Sequence, residues 1–261
     1  MHEIYRMIVC DLDNTLVDSK KQLSAATIQE MIRLQEKGYL LVIASGRFIH
    51  EIEPVAKALQ IEEHHGIIIA CNGFEIYDKK DNSYHRFTPI SAKESEELIR
   101  FAKSKHCCTY LYDEDGYYFI QTGSIRRIMR IAKHLFPLFR KLHPKIGHGI
   151  DRYEQMQILK EEPHFEHSFQ KLCFLSHKPK HIVALETAIH RRYGRTYQFF
   201  YENPFVSEIT KSDVSKRHAV EYICQKYGYE MKQVIAFGDN GNDLLLLEAA
   251  GHGVTMKNAS R

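Results

Sequence analysis

Two carboxylates, Asp11 and Asp13, stand two residues apart in Asp11-Leu12-Asp13-Asn14-Thr15, directly after the short apolar run Tyr5–Cys10. A run of that length is the pattern of a strand buried on both faces. The carboxyl end of such a strand is where open α/β sheets place their ligands. Like charges this close are unfavourable unless a cation lies between them or one carboxylate holds a proton. Either arrangement serves chemistry: one Asp can attack as a nucleophile while the other gives and recovers a proton. Taken alone, the pair is equally readable as a solvated turn.

Three further stretches add to it. The run Gln233–Phe237 ends at Gly238-Asp239-Asn240-Gly241-Asn242-Asp243, which brings Asp239 and Asp243 to the same kind of strand end. A few carboxylates on two strand ends suit Mg²⁺, which takes oxygen ligands and usually binds substrate phosphate as well. No Cys/His constellation of the zinc type is present. A plain helix cap at Asn242 or Asp243 is the competing reading, and the two are compatible. Ser45-Gly46 closes another apolar run and offers a hydroxyl and accessible amides to anionic oxygens. Lys216 opens a helix in Asp213-Val214-Ser215-Lys216 and can set a compact cation against the same oxygens. Together they supply a nucleophile, an acid/base, a metal site and an anion clamp.

The elements that must position these residues follow from the pattern. Ser24 caps a predicted helix through about Lys37, with Gly38 as its stop. Tyr39–Ala44 is a second apolar run, followed by a helical segment near His50–Leu59, and Gly66–Ala70 is a third run, ending at Cys71-Asn72-Gly73. Strand and helix alternating in this way predict an α/β fold with a doubly wound parallel sheet, Rossmann-like. Phe74–Asp78 and Ser83–Phe87 then flank a polar turn and read as a hairpin. About 110 residues of helices and aromatic-rich strands follow before the first rhythm returns near Lys211–Lys216. The expected organisation is a core of residues 1–83 and 205–261 with an inserted α/β domain at 84–204.

At 261 residues, with 44% apolar and 26% charged residues, the chain has an ordinary globular composition that excludes disorder and fibrous repeats. Its net charge of +3 is too small to imply nucleic acid by itself. No apolar run reaches the roughly 18 residues of a membrane helix. The start Met1-His2-Glu3-Ile4-Tyr5-Arg6 lacks a signal-peptide pattern. Cys10, Cys71, Cys107, Cys108, Cys173 and Cys224 form no CxxC pair and read as buried free thiols of a cytoplasmic protein.

Asp11-Leu12-Asp13-Asn14-Thr15, Ala44-Ser45-Gly46-Arg47, Val214-Ser215-Lys216 and Gly238–Asp243, in this order, resemble the four motifs of the haloacid dehalogenase-like hydrolases. Ala70-Cys71-Asn72-Gly73 is similar to the Cof-type phosphatases among them, which carry an α/β cap. The resemblance implies an aspartyl-phosphate mechanism in a Mg²⁺-dependent enzyme. Asp11 would be the nucleophile and Asp13 the acid/base. Asp11, the Asp13 carbonyl and Asp239 would hold Mg²⁺ with Asp243 in support; Ser45, Gly46, Lys216 and Asn242 would hold phosphate. A second acid at Asp13 favours phosphate-ester hydrolysis over dehalogenation. Only 33 residues separate Asp11 from Ser45, too few for a cap, whereas 170 separate Ser45 from Lys216. The cap is therefore expected in the second position, where it would exclude water and read the leaving group.

Three departures stand out. Ser45 replaces the more frequent Thr, and Arg217 stands where Gly is common. The chain stops at Arg261, soon after Gly253–Met256, where relatives usually add a helix and strand; an exposed sheet edge or a shortened chain is the expectation. The expected substrate is a small phosphorylated metabolite, sugar phosphates leading, with no specific nucleic-acid or membrane partner; no feature of the sequence sets an oligomeric state. A phosphomannomutase-like phosphotransferase and a catalytically idle phosphate-binding or regulatory protein are the alternatives.

Weaker signals have plainer readings. Between Asp115 and Asp151 there is no Asp or Glu, while Arg126, Arg127, Arg130, Lys133, Arg140, Lys141 and Lys145 accumulate. A solvated basic helix capped by Ser124 is the plain reading; steering of an anionic substrate and nucleic-acid contact are the others. His64, His65, His143, His148, His164 and His167 show no ligand spacing and read as surface residues. Tyr110, Tyr112, Tyr117 and Tyr118 read as packing residues of strands.

Overall fold

The computed structural model describes residues 5–112, 117–120, 156–159 and 164–259. The chain forms two compact units, Met1–Thr88 with Asp213–Arg261, and Pro89–Ser212. The insertion expected at 84–204 corresponds to the second of these units. The unit boundary falls after Thr88 because the strand Ser83–Arg86 pairs with Glu75–Asp78 of the first unit. It falls after Ser212 because Val206–Lys211 pairs with two strands of the second.

In the first unit, β1 (Met7–Asp11), β2 (Leu40–Ala44) and β3 (Ile67–Ala70) are buried at every position. Unbroken burial is what a parallel strand with helices over both faces requires. β4 (Glu75–Asp78) and β5 (Ser83–Arg86) follow as the expected hairpin. α1 (Ala25–Glu36) starts where the Ser24 hydroxyl accepts from the Thr27 amide at 3.0 Å, and α2 (Ile49–Ala58) follows β2.

The second unit supplies α3 (Ala92–Ser104), β6 (Cys108–Tyr112), β7 (Tyr117–Ile120), β8 (Met156–Leu159), β9 (Leu172–Leu175), α4 (Pro179–Tyr193), β10 (Tyr197–Asn203) and β11 (Val206–Lys211). Its six strands lie in the order β10-β11-β9-β6-β7-β8, antiparallel except for β7 with β8. Leu98 and Ile99 of α3 and Ile182, Leu185 and Ile189 of α4 pack with Leu111, Leu172, Phe174 and Ile209 of the sheet. Tyr118 packs against this core, 6.3 Å ring to ring from Phe165, as expected of a strand aromatic. The basic segment from Ser124 to Lys145, with His143 and His148, lies outside the described residues.

The chain then returns to the first unit through α5 (Lys216–Tyr227), β12 (Val234–Gly238), α6 (Leu244–Ala249) and β13 (His252–Thr255). The first sheet runs β13-β12-β1-β2-β3-β4-β5, with its first five strands parallel. Met7, Val9, Val42, Ile67, Ile69 and Ala236 pack with Ala219, Val220 and Ile223 of α5. Strand residues alternate between faces, so Ile8, Ile43 and Ile68 look to the opposite side. β13 occupies one edge, with His252, Gly253 and Thr255 exposed.

This strand order has one reversal. From β1 the chain moves outward to β2 and β3, and later returns to add β12 on the other flank of β1. The carboxyl ends of β1 and β12 therefore border the crevice where doubly wound folds bind ligands.

Candidate active site

Strand register brings the chemical residues level. Asp11 is the last residue of β1 and pairs with Ala44, so Ser45 lies one step beyond it on β2. Cys10 pairs with Phe237, which puts Gly238 abreast of Asp11 and Asp239 just past the sheet edge. Ile69 pairs with Ala44, and Asn72 follows on the loop after β3. Four parallel strand ends thus open on one side.

At their centre is a buried charge cluster. Lys216, the first residue of α5, donates from Nζ to Asp11 Oδ1 at 2.5 Å and to Asp243 Oδ1 at 2.6 Å. Its side chain is 0% exposed. The other Asp243 oxygen accepts from the Asp239 and Asn240 amides, each at 3.1 Å, so this carboxylate also folds the loop after β12. Carboxylate oxygens of Asp11, Asp239 and Asp243 lie within 4.8 Å of one another. Among the described residues this is the one group of metal-competent side chains, and no histidine belongs to it.

The electrostatics of the cluster are unbalanced: three carboxylates face one ammonium. Burial works against the Lys216 charge, but Asp11 and Asp243 outweigh it and hold the proton more firmly than usual. The carboxylates share that single cation and come up short. Burial, with Asp243 and Asp239 adding repulsion against the pull of Lys216, pushes Asp11 up to about 6. Asp239 is raised for the same reasons, burial first and Asp243 second. A hard divalent cation among these oxygens would restore the balance, and an all-oxygen donor set is what Mg²⁺ takes. The site fits the ion.

Asp13 sits apart from this cluster. Arg47 grips it with two hydrogen bonds, Nε to Oδ2 at 2.8 Å and Nη2 to Oδ1 at 2.5 Å, and Lys21 Nζ also bonds to Oδ1. Burial raises the Asp13 carboxyl, but the two cations more than reverse this and leave it below the ordinary range. Ser45 is buried; its hydroxyl oxygen accepts from the Arg47 amide at 3.2 Å, which leaves the hydroxyl hydrogen to donate to an anion.

Asn72 is a residue to which the sequence reading gave no role. It is buried and donates its backbone N–H to the Ser45 carbonyl at 3.0 Å, while its Oδ1 accepts from Asn242 Nδ2 at 2.8 Å. Cys71, Asn72 and Gly73 all have positive φ, at 50°, 58° and 102°. Such backbone costs more for Cys71 than for Asn72, since Asn tolerates the left-handed region; Gln60, His65, Asn82 and His106 adopt it in plain turns elsewhere. At Gly73 a Cβ would stand 2.2 Å from the Ser215 carbonyl oxygen, so only glycine lets this loop press on the start of α5 and seat Lys216. A Cβ on Gly46 would meet Asn72 Oδ1 at 2.9 Å, so this position also favours glycine. Asn242 keeps a second N–H to offer an anion, and its buried Oδ1 has no hydrogen-bond partner among the described residues.

Comparison with known proteins agrees with this architecture. A family model described as haloacid dehalogenase-like hydrolase matches residues 8–261, and the chain belongs to that family. It is 29% identical over 255 residues to pyridoxal phosphate phosphatase YbhA of Escherichia coli, covering 97% of this chain and 88% of that protein. The structure resembles a haloacid dehalogenase-like hydrolase from Bacteroides thetaiotaomicron with a TM-score of 0.72 at 25% identity, covering 98% of this chain and 90% of the other. It also shares its fold with the sugar phosphatase BT4131, of subclass IIB, at a TM-score of 0.71 and 18% identity, covering 98% and 88%. Among the described residues no helix is long and apolar enough to cross a membrane.

Proposed function

We propose that this hydrolase is a Mg²⁺-dependent phosphatase of small phosphorylated metabolites, with sugar phosphates and pyridoxal phosphate as the first classes to examine. The observation that carries the reading is the buried Asp11–Lys216–Asp243 cluster with Asp239 beside it, short of positive charge at the reversal point of the sheet. The pyridoxal phosphate phosphatase relative supports the second class, and the fold shared with a sugar phosphatase is in keeping with the first.

Each residue has a role in that chemistry. An Asp11 oxygen attacks phosphorus, the bond from phosphorus to the ester oxygen breaks, and Asp13 gives its proton to the departing alkoxide. The phosphoryl group is then carried on Asp11. Water attacks its phosphorus, the Asp13 carboxylate takes the proton, and Asp11 and inorganic phosphate are freed. Lys216, Ser45, the Gly46 amide and Asn242 hold the phosphoryl oxygens. Asp11, the Asp13 carbonyl and Asp239, supported by Asp243, would hold Mg²⁺, which when bound neutralises charge on the transferring group. The unit Pro89–Ser212 is assigned selection of the leaving group.

Phosphate release from a panel including glucose 6-phosphate, mannose 6-phosphate and pyridoxal 5′-phosphate checks this. Release is expected with Mg²⁺ and not with EDTA. Transfer of phosphate between sugars without release, or no turnover of any ester, would contradict it.

A further inference from the structure

We infer that Arg47 is a positioning residue that fixes the Asp13 carboxylate so that a single lone-pair direction, on Oδ2, is presented for proton transfer. The inference rests on the acid/base role assigned to Asp13 above. A carboxylate offers about four acceptor directions, two per oxygen. The Arg47 fork takes one on each oxygen, through Nε to Oδ2 and Nη2 to Oδ1. Lys21 takes the second on Oδ1. Among the described residues, one direction on Oδ2 is left over.

Arg47 is itself held at the backbone. Its N–H donates to Ser45 Oγ at 3.2 Å, and its carbonyl accepts from the Cys71 amide at 2.9 Å. A guanidinium anchored on the β2 loop therefore reaches across to orient a carboxylate on the β1 loop. A planar fork sets the carboxylate plane, which a lysine ammonium, acting as a point charge, does not. Arg47 and Lys21 favour the ionised carboxylate, the form that takes a proton on Oδ2 from the attacking water; the same oxygen passes that proton to the ester oxygen of the next substrate as its bond to phosphorus breaks.

Leaving groups that differ in their need for a proton provide the test. p-Nitrophenyl phosphate and phenyl phosphate are nearly alike in size, but nitrophenolate departs readily without protonation while phenolate needs it. Arg47→Ala is expected to lower kcat for phenyl phosphate about 10- to 100-fold more than for p-nitrophenyl phosphate, a part of the usual worth of general acid catalysis. KM should stay within about threefold for both. Arg47→Lys should recover part of the loss. In an Asp13→Asn background, Arg47→Ala should leave the ratio of the two esters unchanged, because the group it orients is gone. Retained p-nitrophenyl phosphate turnover shows that the variant is folded. Equal losses on both esters, a KM rise shared by both at constant kcat, or an unaltered effect in the Asp13→Asn background would overturn the inference. No turnover of either ester by the unsubstituted chain would overturn the phosphatase reading, and the inference with it.

Discussion

Replacing Asp11 by Asn should lower kcat on any hydrolysed ester by about 10³-fold or more, because the amide cannot form the covalent phosphoryl adduct. The substitution is close to isosteric, and Lys216 keeps its second partner, Asp243, at 2.6 Å. Folding should therefore survive. A further sign separates this account from simple damage. In the ion-free protein the Asp11 carboxylate is disfavoured by burial and by two carboxylate neighbours. Removing its charge should leave stability in EDTA at neutral pH unchanged or slightly raised. Steady-state kinetics and urea unfolding on one preparation read both effects. Activity within tenfold of the unsubstituted enzyme would remove Asp11 from the reaction.

The second large effect belongs to Lys216. Its side chain is fully buried, and Lys216→Met preserves much of its length while leaving Asp11 and Asp243 inside the protein without their cation. Breaking a buried pair on one side typically costs about 3–5 kcal/mol, since the remaining charges lose their partner and keep their desolvation. Lys216→Met should be destabilised by about that amount in EDTA, and saturating Mg²⁺ should restore part of it by binding the folded state alone. Guanidinium unfolding with and without the ion measures both. A loss below about 1 kcal/mol would mean that the cluster is solvated and the charge argument fails.

Much of this arrangement is legible in the sequence. Asp11, Ser45 and Asp239 each follow an apolar run, and a buried parallel strand announces its own carboxyl end by where the run stops. Lys216 opens its helix as the sequence suggests, and the structure adds that Ser215 caps it, accepting from the His218 amide at 3.2 Å. The partners of Asp13 were not legible. Arg47 lay inside a motif already quoted, yet nothing in its spacing says that its fork closes on Asp13 instead of facing solvent. Lys21 was hidden further: it reaches Asp13 only because a tight turn places it at φ 61°, with its amide donating to the Asp18 carbonyl at 2.9 Å. Asn72 carried a signal, an Asn-Gly pair at a strand end. Its contact with Asn242 spans 170 positions, a pairing that only the sheet order creates. The second unit's limits were blurred for a related reason, since strand partners, and not composition, decide to which sheet Ser83–Arg86 and Val206–Lys211 belong.

The central claim is that buried carboxylates from two strand ends form one divalent-cation site. Burial holds Asp11 at about 6 in the ion-free protein, above its ordinary value near 4. The folded state therefore binds more protons than the unfolded one across roughly pH 4–6, and this group's contribution to stability falls as pH rises through that window. Since a bound cation needs the deprotonated form, Mg²⁺ affinity should climb over the same range. Calorimetric titration with Mg²⁺ tests this most directly, at pH 7 and pH 5, on the unsubstituted protein and on Asp239→Asn. The account predicts one ion per chain, at least about tenfold weaker binding at pH 5, and no measurable binding to the folded variant at either pH. Equal binding to the two proteins, or none to either, would contradict it.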